Sequence, residues 1–271
     1  VSRPVPRTIV AVVFSAAGRP ALLRDRLLVH PRAAQRVLEL LGRPDGAHAE
    51  LCNLVELDAA LTAAVLRAAN SAHLGYSGRI AGIRHATVML GGSLVASLAA
   101  SRVADLVFET SLPAYPDWLW QHAVVVASGC AVLAPYVGEG VDEAFTTGML
   151  HDVGWLLSAA NDDEDHASER HDLLAVHAET GADLLGRWNI PTRVVEGVRH
   201  HHARPAALVG NLERLVAASG AFARELGAGG PERSMSLHEA AQLVQAGRRP
   251  DDLLAAIDDE VTRRTAVVRE S

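Results

Sequence analysis

The segment from Asp117 to about Tyr136 limits the fold more than any other part of the chain. It opens with Trp118, Trp120 and His122 and continues as AVVVASGCAVLA. A helix that is apolar nearly all round has to be enclosed by other elements. The remaining sequence supplies helices for that enclosure. Apolar residues recur at three- and four-residue spacing from about Pro31 onward, and no strand–helix alternation appears that would build a parallel sheet. Aromatic residues make up only 4% of the chain while Ala, Leu and Val dominate, which favours helices packed through small side chains. The expected fold is all-α, a multi-helix bundle. The Val and Ile content of Thr8–Ala16 adds a short N-terminal strand to the expectation, ended by Gly18 and Pro20.

Local signals place the other elements. Pro31 and Gly42 bracket the helix RAAQRVLELLG. Ala47–Leu57 has helical spacing, and Asp58 is suited to cap DAALTAAVLRAANSA, which Asn70 and Ser71 end before the turn at Gly75. Further helices are expected over Ile80–Leu90, Ser93–Phe108, Asp117–Tyr136, the stretch from Asp142 through His151 and Asp152, HDLLAVHAETGADLLGRW, PTRVVEGVRHHH, Leu208–Leu226, Ser236–Ala246 and Pro250–Arg264. LGAGGPERS has the composition of a linker. The resulting division is an N-terminal segment 1–21, a main domain 22–226 and a C-terminal helical tail 227–271.

Net charge of -7 and a pI of about 6.0, with no dense basic block, exclude a general nucleic-acid surface. No apolar run in the sequence reaches membrane-span length. The apolar part of VSRPVPRTIVAVVFSAAG is short for a secretory signal. Cys52 and Cys130 lack CxxC spacing and fit small buried thiols in a reducing compartment. A cytoplasmic location, away from membranes, is the expectation.

The chemistry centres on AFTTGMLHDVGW. His151 and Asp152 pair an imidazole with a carboxylate, a combination suited to a divalent ion such as zinc, manganese or iron. An isolated His-Asp pair is more often solvated surface. Here other histidines occupy other predicted helices: His122, His177, and the run His200, His201 and His202. His30, His48, His73, His85, His166, His171 and His238 fit no such spacing and are expected to be structural or surface residues. Trp118 and Trp120 are expected to fill the core, with a ligand pocket the less common use of such residues.

Taken in order, several segments resemble the HDOD family, a bacterial branch of the HD metal-dependent phosphohydrolase superfamily. They are LDAALTAAVLRAANSAHLG, IRHATVMLGG, AFTTGMLHDVG, HAETGADLLGRWNIP and VRHHHARP, and the resemblance covers roughly Leu22–Leu226. It implies a helical HD-domain-like fold with a divalent metal held by His122, His151, Asp152, His177, His201 and His202. A register one residue earlier would make His200 and His201 the histidine pair. Three departures accompany the resemblance. Trp155 stands where catalytic relatives often carry the lysine of HDxGK. Ala218 or Ser219 stands where a later aspartate is common. The GYP motif of cyclic-di-GMP phosphodiesterases is absent. The resemblance therefore implies a signalling or regulatory module without strong catalysis, which retains a metal and binds a protein partner or a nucleotide-type signal. The alternative is a metal-dependent phosphohydrolase acting on a nucleotide or cyclic dinucleotide, with Arg199 and Arg204 available to hold phosphate.

Overall fold

A computed structural model describes residues 27–43, 48–71, 78–108, 115, 117–161, 170–230 and 235–269. The expected strand at Thr8–Ala16, the turn at Gly75, His73, and residues 162–169 with His166 lie outside these residues. The described chain is helical, with no strand among its described residues: α1 Pro31–Leu41, α2 His48–Glu56, α3 Ala59–Ala69, α4 Ile83–Leu90, α5 Gly92–Phe108, α6 Asp117–Leu133, α7 Val141–Leu150, α8 Val153–Asn161, α9 Arg170–Arg187, α10 Thr192–Arg199, α11 Asn211–Glu225, α12 Leu237–Leu243 and α13 Pro250–Arg269.

Helix α6 is the axis of the bundle. It packs against α7, α11 and α13, and Val124, Val126, Ala127, Cys130 and Leu133 on it are buried. It stops at Leu133, earlier than its apolar pattern suggests, because Pro135 turns the chain into a 3-10 turn over Ala134–Val137. With that turn included, Trp118–Val137 is long and apolar enough to cross a membrane by composition alone, contrary to the sequence expectation. Its most apolar stretch is 72% buried inside the protein, so neighbouring helices supply its apolar surroundings. Small residues set the spacing. A Cβ on Gly148 of α7 would lie 2.7 Å from the Ala127 Cα of α6.

Side-chain caps fix the joints. Asp58 accepts the N–H of Leu61 at 2.9 Å at the start of α3 and the N–H of His30 at 2.8 Å, tying the chain before α1 to the same carboxylate. Asn70 closes the segment after α3. Its side-chain amide donates to the Ile80 carbonyl at 2.8 Å, and its oxygen accepts the N–H groups of Arg79 and Ile80. Helix α4 starts at Ile83, three residues later than expected, because its cap comes from elsewhere in the chain. Asp142, in the first turn of α7, accepts the N–H of Arg84 at 3.0 Å and of His85 at 3.1 Å. A Cβ on Gly82 would collide with that carboxylate.

Helix α13 docks on α6 and α2. Arg264 pairs with the buried Glu56 at 3.2 Å, and its guanidinium carbon lies 3.9 Å from the centre of the Phe145 ring. Arg84 meets the other oxygen of Glu56 at 2.9 Å. One buried carboxylate is thus neutralised by two arginines from separate elements, the arrangement a buried charge requires.

Candidate metal centre

His151 and Asp152 do not lie within a helix, as the HD stretch suggests. Helix α7 ends at Leu150 and α8 begins at Val153, so the pair forms the two-residue turn between them. The turn lets the His151 ring fold back, placing Nδ1 2.7 Å from the carbonyl of Gly148. His122 Nδ1 lies 2.7 Å from the Ala228 carbonyl, and His201 Nδ1 lies 2.6 Å from the Val198 carbonyl. A carbonyl only accepts, so Nδ1 carries the hydrogen on all three rings. In the neutral form this leaves Nε2 with an exposed lone pair, the tautomer of a metal-binding histidine.

Those Nε2 atoms converge on Asp152. Its Oδ1 lies 3.0 Å from His177 Nε2 and 3.5 Å from His201 Nε2. Its Oδ2 lies 3.3 Å from His151 Nε2 and 3.6 Å from His122 Nε2. His202 Nε2 joins the first group, 3.1 Å from His177 Nε2. The result is two ligand sets sharing one carboxylate: Asp152, His177, His201 and His202 on one side, and His122, His151 and Asp152 on the other. All six residues singled out in the sequence meet here. His200 does not; it is exposed and pairs with Glu196 at 3.0 Å. The structure therefore brings in His201 and His202 from the histidine run.

The local electrostatics call for a cation. His122 Nε2 and His151 Nε2 are 3.1 Å apart, and with both Nδ1 hydrogens committed to carbonyls, two lone pairs face each other. Neither oxygen of buried Asp152 receives a hydrogen bond. In the metal-free chain burial raises the Asp152 carboxyl, and positive charge on the neighbouring imidazoles, His151 foremost, holds it well below the usual carboxylate range. Burial also pushes His201 down, and burial with the neighbouring His201 and His177 brings His202 to about 3. Near neutral pH these two rings are unprotonated and the carboxylate is charged. A buried anion ringed by neutral lone pairs fits a divalent ion of the zinc, manganese or iron type.

Close helix crossings hold the set together. A Cβ on Gly154 would collide with the His177 carbonyl, and one on Gly181 would lie 3.0 Å from the Gly154 nitrogen. These two glycines let α8 approach α9 closely enough for His177 to reach Asp152. The segment expected to be a linker after α11 also has a role. Ala228 holds the His122 ring, and a Cβ on Gly230 would lie 2.9 Å from His122 Nε2. No sequence signal marks this use, because the contact is made by a backbone carbonyl.

The departures from the family pattern acquire positions. The Trp155 ring lies nearly parallel to His177, with centroids 4.8 Å apart, and Trp118 stands edge-on to Trp155 at 6.1 Å. Trp118 is 41% exposed, so an indole pair lines this flank of the centre. Trp118 is thus not simply core, as first expected. Ser219 contributes no ligand. It packs against Gly129, and a Cβ there would lie 2.8 Å from Ser219 Oγ. Gly129 is two turns, about 10 Å, along α6 from His122. Ala218 is likewise buried within the core. Arg199 is committed to Glu179 and Asp183, and Arg204 is exposed.

The chain is 27% identical over 227 residues to an uncharacterized protein of Treponema pallidum, covering 75% of this chain and 43% of that protein. It is 27% identical over 181 residues to ribonuclease Y of Geobacter metallireducens, covering 61% of this chain and 32% of the enzyme. The chain thus spans less than half the length of these relatives. Among solved structures, the MmoQ response regulator of Methylococcus capsulatus superposes with a TM-score of 0.70 at 24% identity, covering 86% of this chain and 98% of that one. A virulence factor of Campylobacter jejuni superposes with a TM-score of 0.60 at 16% identity, over 90% and 98% of the two chains. Both share the helical fold. Residues 27–204 match the HDOD domain, and the chain belongs to the HDOD domain family.

Proposed function

We propose that this chain is a cytoplasmic HDOD signalling module that keeps a divalent-metal centre and works by binding a protein partner or a nucleotide-type signal, without strong catalysis. The observation that carries the metal is the buried Asp152 carboxylate, without a hydrogen bond and surrounded by five imidazoles. The observation against strong catalysis is the Trp155–Trp118 pair on the flank of that centre. A phosphate substrate needs positive charge beside the metal. All 25 basic residues of this chain are arginine, with no lysine at all, and Arg199 is already ion-paired. A bound ion would supply positive charge and Lewis acidity. The chain itself supplies the anion at Asp152, the neutral Nε2 atoms, and the carbonyls that orient them. The response-regulator name of MmoQ agrees with a signalling role.

The test is metal analysis of protein purified without chelator, followed by structure determination with anomalous scattering at the metal edge. Bound metal at Asp152, with no turnover of phosphoesters above background, is the expected result. Protein that is free of metal and gains no stability from zinc, manganese or iron would sink the proposal.

A second reading, a metal-dependent phosphohydrolase, is favoured by one observation. The His122–His151–Asp152 set offers three ligands, which leaves open positions of the kind catalytic sites need. The partial similarity to ribonuclease Y points the same way. Assays with manganese on RNA, cyclic dinucleotides and nucleotide monoesters, comparing the native chain with His151→Ala, separate the two readings. Turnover lost in the variant would establish the hydrolase.

A further inference from the structure

One cavity among the described residues lies away from the metal centre. It has a volume of about 860 Å³ and lies between the start of α1, one face of α6 and the end of α13. That volume is in the range of small-molecule sites. On α6 it is lined by Trp120, Gln121, Val124 and Val125. By the helical repeat of about 100° per residue, this face is roughly 130° round from His122. The cavity and the metal centre therefore open on different sides of the same helix.

The walls have a definite chemistry. Val124, Val125, Val261 and Val268 form an apolar side. Trp120 is anchored by its indole N–H donating to the Leu57 carbonyl at 2.8 Å, and the His30 ring stacks on it with centroids 4.9 Å apart. The polar side carries Arg32 and Arg36, and no Asp or Glu is among the described lining residues. Arg36 is largely buried. It pairs with Glu39 at 2.9 Å and Glu50 at 3.5 Å through its terminal nitrogens, while its Nε is buried and makes no hydrogen bond. The same wall holds the N-terminus of α1, where His30 provides no side-chain cap and the first turn contains no acidic residue. Uncapped N–H groups and the positive end of a helix favour an anion.

We propose that this cavity is a binding site for a small organic anion with an apolar body, such as an aromatic or aliphatic carboxylate. The acidic group lies toward Arg32, Arg36 and the start of α1, and the apolar body lies along the valines of α6 and α13. The proposal concerns a site separate from the metal centre and does not depend on the function assigned there.

The experiment uses the full chain with 2-naphthoate as the probe and 2-naphthamide as its neutral counterpart, followed by calorimetry. Saturable binding of one naphthoate per chain is expected, at least tenfold tighter than the amide. Arg32→Gln, at a lining position outside the Arg36–Glu39–Glu50 ion pairs, should weaken naphthoate at least tenfold, and Arg32→Lys, which keeps the charge, should retain most of the binding. Gln121→Trp, at an exposed position on the rim, should fill the space and abolish binding while the thermal melt stays cooperative. Asp152→Asn should leave naphthoate affinity unchanged. Equal affinity for the acid and the amide, undiminished binding to Gln121→Trp, or no saturation below about 1 mM would each overturn the assignment.

Discussion

Replacing Asp152 by asparagine should separate the stability of the fold from the stability of the metal centre. The carboxylate is the only anion in the ligand set, and its two oxygens lie 3.0–3.6 Å from four Nε2 atoms. Asparagine keeps the shape and removes the charge. Metal present at about a thousand times its Kd stabilises the folded chain by about 4 kcal/mol. In a chain of this size that amounts to a melting shift of roughly 8–16 °C. Losing a charged ligand shared by both halves should weaken metal at least a hundredfold, about 2.7 kcal/mol. The metal-induced shift should then shrink to roughly 3–6 °C. The metal-free variant behaves differently. Its new amide can donate to one of the facing Nε2 lone pairs, so the metal-free melting point should move by no more than about 1 kcal/mol equivalent. The assay is differential scanning calorimetry of native and Asp152→Asn chains, each with chelator and with excess zinc or manganese. Equal metal-induced shifts in the two proteins would refute the bridging role. Collapse of the metal-free variant would show that the carboxylate holds the fold rather than an ion.

Gly154→Ala should cost about 3 kcal/mol in urea denaturation and reduce bound metal, because the new methyl collides with the His177 carbonyl and pushes α8 from α9; native-like metal content would refute this. Trp155→Lys should raise manganese-dependent hydrolysis of bis(p-nitrophenyl) phosphate at least tenfold, restoring the cation beside the centre; unchanged rates would mean the missing charge is not what limits turnover. The metal-free protein should lose stability on acidification. His202 has its folded value lowered from 6.5 to about 3, so the unfolded chain takes up a proton below pH 6.5 that the folded chain refuses. Its contribution is fully present above 6.5 and is lost as pH falls toward about 3. Between pH 7 and 5 the loss should be about 2 kcal/mol, measured by urea midpoints, and His202→Gln should reduce it; a flat profile would refute the assignment.

Much of this molecule was legible in the sequence because its signals are local. Asp58 announces the start of α3, Pro31 opens α1, and the apolar helix around Val124–Cys130 demands enclosure. The six candidate ligands were legible only as an ordered set, since each histidine alone resembles a core residue. What stayed hidden depends on contacts between distant segments. The turn at His151–Asp152 interrupts a pattern that reads as continuous helix, and the reward for breaking it lies in the converging rings. The tether from Ala228 to His122 uses a backbone carbonyl, which carries no residue identity. His30 fitted no motif spacing, yet it is buried, stacks on Trp120 and borders the cavity. Ser219, which with Ala218 stands where the family pattern has a later aspartate, packs against Gly129 instead.

The Asp142 carboxylate that accepts the N–H groups of Arg84 and His85 has a consequence for how the chain folds. Helix α4 has eight residues, too short to persist alone in water. Its starting N–H groups find their acceptor 57 and 58 residues further along the chain. The helix therefore cannot be completed until α7 has formed and docked. Amide exchange at Arg84 and His85 should report on opening of α7 rather than on fraying of α4. A ribosome-bound chain ending before Asp142 should leave that helix unformed, whatever its own propensity, so this joint closes only after α7 has been made and marks the point at which α4 and α7 commit to each other.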